Sequence, residues 1–105
     1  MKILDDSHSQ PDHNVLVDNE SVRIEQSKLS EDLSTTTITV HAKQEYTFKA
    51  RSGILQTYVG VGVITSGSET FDLNLFNKVA VNRGERITLK NTQDFPLIIN
   101  MITAN

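Results

Sequence analysis

Apolar and polar residues alternate in short runs from Glu45 to Thr103: EYTFK, LQTYVGVGVIT, ETFDLNLF, KVAV, ERITLK and LIINMIT, each broken by Gly, Asn, Ser or Pro. A period of two places successive side chains on opposite faces of an extended strand, so each run reads as a strand and each break as a turn. Upstream, SVRIEQ puts Val22 and Ile24 on one face, and SKLSEDLS reads as a loop or a single helical turn. The β-branched run STTTITV puts Ile38 and Val40 on one face and Thr37 and Thr39 on the other. No helix of ordinary length is expected. The pattern predicts an all-β sandwich or barrel.

The run Leu55–Thr65 reads as the spine of that fold. Leu55, Thr57, Val59, Val61 and Val63 share one face; Tyr58, Gly60, Gly62 and Ile64 share the other. Glycines at alternate positions permit either close approach of another strand or a sharp bend at a barrel corner. Thr65-Ser66-Gly67-Ser68 and Asn82-Arg83-Gly84-Glu85 supply turns, and Gly84 is free to take positive φ. LIINMIT reads as a final strand buried on both faces except near Asn100. Eight or so strands joined by short turns predict a single-domain jelly-roll barrel over residues 19–105. Residues 1–18 lack sustained periodicity and read as a flexible acidic N-terminal segment, with Val15-Leu16-Val17 adding a short edge strand. Within that segment, His8, Asp12 and His13 are metal-binding residue types in an unstructured tail.

Composition narrows the chemistry. At 105 residues the chain makes one domain with a core sufficient to fold unaided. With no cysteine there is no disulfide, thiolate zinc site or cysteine nucleophile, which suits a reducing compartment. No apolar stretch approaches the roughly 20 residues of a membrane helix, and the first residues are acidic rather than basic then apolar. A cytoplasmic protein with no membrane partner is expected. Residues 1–40 carry net charge −5 and residues 41–105 carry +2. The bases of the second part are dispersed along the sequence and only six aromatics are present, so no nucleic-acid partner is expected. Gly60-Val61-Gly62 lies inside an extended run without a Gly-Lys-Ser/Thr ending, and no Gly-x-Ser-x-Gly elbow occurs.

The order strand, glycine turn, strand, Val81-x-x-Gly84-Glu85, strand, loop, final strand resembles the cupin family of small jelly-roll barrels. Cupin motifs carry two His and a Glu as metal ligands, then a Gly. His41-x3-Glu45 with Gly53 downstream is similar to the second half of that motif, and Thr39 stands where the first His belongs. Asn82-Arg83-Gly84 occupies the slot of a second motif, Pro-x-Gly, with Asn in place of Pro. No His lies near Asp94 or Phe95, where the resemblance puts the last ligand; Asn100 lies close to the motif's terminal Asn. His41 and Glu45 are therefore the candidate metal ligands, two where a catalytic metal needs about three. In one uninterrupted strand 38–48 they face away from Ile38, Val40, Tyr46 and Phe48, as a solvent-facing surface pair; a turn at Ala42-Lys43-Gln44 restores them to the interior.

Asn19 to Thr103 also resembles the short nucleoside phosphorylases of the cupin superfamily, which act on purine and pyrimidine nucleosides. The likeness lies in Glu45-Tyr46-Thr47-Phe48, its spacing from Asn19-Glu20, and the hairpin ending at Gly67; Val61-Gly62-Val63 and the acidic N-terminal segment depart from it. It implies phosphate attack at a nucleoside C1′, for which a site needs a phosphate clamp. Arg51, Arg83 and Arg86 are the guanidinium groups able to bind phosphate through paired bonds, and Tyr58 is grouped with them as a candidate ligand-binding residue. The expected partner is a small polar metabolite, a nucleoside or sugar phosphate, with no cofactor and no assigned catalytic residue. A homodimer is expected. Two other readings stand beside it: a non-catalytic homo-oligomeric interaction protein, its barrel plugged by Phe48, Tyr58, Phe71 and Phe76, and a metal-dependent cupin isomerase or oxygenase.

Overall fold

The computed structural model describes residues 13–104, with side chains from residue 14 onward. These residues form ten strands: β1 (His13–Asp18), β2 (Val22–Lys28), β3 (Leu33–Val40), β4 (Glu45–Lys49), β5 (Gly53–Val59), β6 (Gly62–Ser66), β7 (Glu69–Leu73), β8 (Lys78–Val81), β9 (Arg86–Lys90) and β10 (Leu97–Ala104). All pairing is antiparallel. A large sheet runs β1-β2-β3-β10-β5-β8, a small one β4-β9-β6-β7, and the two pack as a jelly roll. Residues 1–12 of the expected flexible tail, with His8 and Asp12, lie outside the described residues, as does the side chain of His13; residues 13–18 form the edge strand expected at Val15-Leu16-Val17 and not a flexible segment. The large sheet begins before residue 19, because β1 pairs with β2 as an edge strand, with a bulge at Leu16.

The interior is ordered in rows across the large sheet. Val22, Val40 and Leu97 form the first; Ile24, Ile38, Ile99 and Thr57 the second. Gln26, Thr36, Met101, Leu55 and Val79 form the third, and Ser34, Thr103, Gly53 and Val81 the fourth, with Lys28 exposed at its end. Facing them from the small sheet are Tyr46 and Phe48 on β4, Ile87 and Leu89 on β9, and Ile64 on β6. Alternation accounts for this inward set: β3 and β10 bury every second residue along eight.

Two expectations are corrected. The Leu55–Thr65 spine is two strands in different sheets, broken at Gly60, whose φ is +84°. Its positive φ makes the corner, and the other expected role, close approach of a strand, falls to Gly62, where a Cβ would lie 2.5 Å from Lys90 O. The break also resets the alternation, so that Gly62 and Ile64 point inward where Val61 and Val63 do not. LIINMIT is buried on one face only: Leu97, Ile99 and Met101 are inside, whereas Ile102 is 49% exposed. A continuous apolar run implies two covered faces only when something covers the second.

Candidate functional site

Polarity along the inward rows of the large sheet rises toward one end. The first two rows are apolar apart from Thr57, while the third and fourth bring in Gln26, Thr36, Ser34 and Thr103. A cavity of about 230 Å³ opens there. Its floor is Ile24, Ile38 and Met101, and its far wall is Tyr46 and Phe48, whose rings stack at 5.7 Å. Gln26, Thr36 and Thr103 supply hydrogen-bonding groups, with Gln26 Nε2 donating to Thr36 Oγ1 over a long 3.4 Å. Leu16 and Val17, at the β1 bulge, close one side, and Lys49 and Arg51 stand on the rim. The space holds about eight waters, the scale of a single small ligand or the charged end of a larger one.

The rim cations are held by backbone, not by acids. The loop carrying Arg51 is tied to the turn carrying Arg83: Ala50 N–H donates to Glu85 O at 2.8 Å, Gly84 N–H to Ala50 O at 2.9 Å, and Arg83 N–H to Ser52 Oγ at 3.2 Å. Four bases dispersed in sequence, Lys49, Arg51, Arg83 and Arg86, thereby gather on two joined loops at the polar end. All four are exposed, and none forms an ion pair among the described residues. The nearby acid is already engaged. Glu85 accepts the Asn82 N–H at 2.6 Å through one oxygen and the Ser66 hydroxyl at 3.0 Å through the other. Those bonds, the Asn82 backbone N–H first, hold its pKa below the ordinary carboxylate range.

His41 follows the far end of the eight-residue β3, about 23 Å along that strand from Leu33, and Glu45 starts β4, about 13 Å along it from Lys49. The turn at Ala42-Lys43 is present, with Lys43 at φ +62°, yet Glu45 remains exposed on the outer face opposite Lys90. Among the described residues no three His, Asp or Glu side chains cluster. The inward positions of β4 and β9 are Tyr46, Phe48, Ile87 and Leu89, which offer a metal no set of donors, so the residues present do not fit a cupin metal centre. His41 instead serves the backbone: its N–H donates to Ser21 O, and its carbonyl accepts from Gln44 N–H and Asn91 Nδ2.

Of the four candidate ligand residues, Arg51 lines the cavity, Arg86 faces a separate outer concavity, and Arg83 projects from the turn. Tyr58 sits on the outer face of the large sheet, edge-on to Phe76 at 6.5 Å. No aromatic plug fills the barrel: Tyr58, Phe71 and Phe76 are about half exposed, and Phe48 alone of the four packs on the core. Lys49, Gln26, Thr36 and Thr103 line the cavity as well, which spacing does not reveal. Alternation puts Thr36 and Ile38 on one face, but which faces converge depends on the order of strands.

The sequence matches no family model and no curated protein. The structure is similar to many solved ones. A cupin-2 domain protein from Rhodospirillum rubrum superposes with a TM-score of 0.73 at 12% identity, covering 100% of this chain and 77% of that one. An RmlC-like cupin with a double-stranded β-helix fold, from Methanocaldococcus jannaschii, gives 0.69 at 15% identity over 88% of this chain and 87% of its own. The oxalate decarboxylase of Bacillus subtilis gives 0.73 at 16% identity, this chain spanning 27% of its length. The fold is the cupin fold.

Proposed function

We propose that the protein binds a small anionic metabolite in the polar mouth of its cupin barrel, with Arg51 and Lys49 receiving the charged group. The supporting observation is the coincidence of two features at one end: the polar inward rows and the cations without acidic partners. Gln26, Thr36 and Thr103 offer an amide and hydroxyls to a sugar or similar polar body, and Ile24, Ile38 and Met101 offer it an apolar floor. A guanidinium on the rim suits a phosphate, which it binds through two parallel bonds. A sugar phosphate or nucleotide in the cytoplasm is the substrate class.

Calorimetry with ribose 5-phosphate and with ribose tests this. The phosphorylated ligand should bind about tenfold or more tightly, and Arg51→Gln should remove the difference. Equal binding of the two, or an unaffected Arg51→Gln, contradicts it.

Nucleoside phosphorolysis is the narrower reading of the same mouth. A phosphate oxygen would form a bond to C1′ as the bond from C1′ to the base breaks, the base leaving with the bonding pair and taking up a proton. Free base released from nucleosides in the presence of inorganic phosphate would establish it; its absence would leave binding alone.

A homodimer is favoured by a different observation. The outer face of the large sheet forms a concavity of about 610 Å³ in which Leu33, Ile54, Tyr58 and Ile102 are about half exposed and Lys78 is the sole charged residue. A nearly uncharged, β-branched face suits a second copy of itself better than it suits water. Sedimentation should show a dimer that Ile102→Glu dissociates; a monomeric wild-type protein contradicts it.

A further inference from the structure

Lys49 and Arg86 are direct partners in the antiparallel pairing of β4 with β9. Both side chains are on the outer face, in step with Thr47 and Thr88, whose hydroxyls bond at 2.9 Å. Directly opposed residues hold their Cβ atoms about 5 Å apart, and like charges there are unfavourable. The other end of the same strand pair is complementary, Glu45 facing Lys90. No acid relieves Lys49 or Arg86 among the described residues, because Glu85 directs its oxygens to Asn82 and Ser66. A concavity of about 460 Å³ is lined by Thr47, Phe48, Lys49, Gly84 and Arg86. Its shape is set in advance by the two backbone bonds between Ala50 and the Gly84–Glu85 turn. Open space surrounds Gly84, where a Cβ would meet nothing within 4 Å.

We propose that this concavity is a second oxyanion site, distinct from the barrel mouth, which takes a phosphate group between the Lys49 ammonium and the Arg86 guanidinium. An anion between them converts a repulsive cross-strand pair into two attractive contacts, and the guanidinium supplies parallel donors while the ammonium supplies a point charge. Lys49 borders both the mouth and this site, whereas Arg51 borders only the mouth and Arg86 only the outer face. That division separates this site from the ligand site proposed above.

The test uses inorganic phosphate against chloride at matched ionic strength, followed by thermal unfolding and by calorimetry. Phosphate should raise the unfolding temperature of the wild-type protein. In an Arg51→Gln background, which removes the guanidinium of the mouth, a phosphate response should persist, and adding Arg86→Gln should weaken what remains about tenfold or more. Lys49→Glu, which makes the cross-strand pair complementary, should stabilise the protein without phosphate and abolish the phosphate response. A wild-type protein indifferent to phosphate overturns the proposal. So does a response lost in Arg51→Gln and kept in Arg86→Gln, which would assign the phosphate to the mouth. A Lys49→Glu protein no more stable than wild type also counts against it.

Discussion

The side-chain amide of Asn91 donates to the carbonyl oxygen of Phe95 at 2.7 Å, tying the end of β9 to the loop that leads into β10. The same nitrogen reaches Val40 O at 3.0 Å and His41 O at 3.2 Å, and its oxygen accepts the Gln93 N–H at 3.0 Å. Asn91 is 1% exposed, so its own amide has only these partners. One buried amide thus fastens three segments at the apolar end of the barrel.

Asn91→Ala should therefore cost about 3 kcal/mol, since each buried group left unpaired costs on the order of 1–3 kcal/mol. Asn91→Asp should cost more, because it exchanges the donors for a buried charge. Urea unfolding of both variants checks this; a loss below about 1 kcal/mol would show that the loop closes without it.

Thr57 presents the opposite case. It is 0% exposed, in the second interior row, and its hydroxyl has no hydrogen-bond partner. Thr57→Val keeps the shape and removes the unsatisfied group, so it should stabilise the fold by about 1 kcal/mol in the same urea assay. A destabilised Thr57→Val would mean that the hydroxyl is bonded to a buried water.

Glu85 gives the acid limb of the stability profile a definite sign. Its folded pKa lies below its unfolded value, chiefly through the Asn82 N–H and next the Ser66 hydroxyl. The stabilisation is therefore present above the ordinary carboxylate range, and is lost as pH falls through that range toward the lowered folded pKa. Glu85→Gln should be less stable than wild type at neutral pH, and its stability should fall less steeply on acidification. Parallel acid profiles for the two proteins would remove Glu85 from this role.

The fold was legible because strand period and turn chemistry are local properties. EYTFK, KVAV and ERITLK appear as β4, β8 and β9, and the Asn82–Glu85 turn sits between the latter two. What local pattern does not carry is partnership. Arg86 opposes Lys49 only because β4 pairs with β9 in one register, and the two residues are 37 positions apart in the chain. Gln26, Thr36 and Thr103 meet because β3 lies between β2 and β10. Nothing in the local polar stretch Asn91-Thr92-Gln93-Asp94 implies burial; that of Asn91 depends on carbonyls from Val40, His41 and Phe95 converging on it. The turn at Ala42-Lys43 and a solvent-facing Glu45 were both legible as readings, and the pairing to β9 fixes the outer face for Glu45.

The claim on which the functional reading rests is that the polar mouth receives the ligand. Methyl resonances of labelled protein, followed during titration with ribose 5-phosphate, test it most directly. Shifts should concentrate on Ile24, Ile38 and Met101, which floor the cavity, and should vanish in Arg51→Gln. Shifts confined to Ile54 and Ile102 on the outer face, with the floor methyls unmoved, would contradict it.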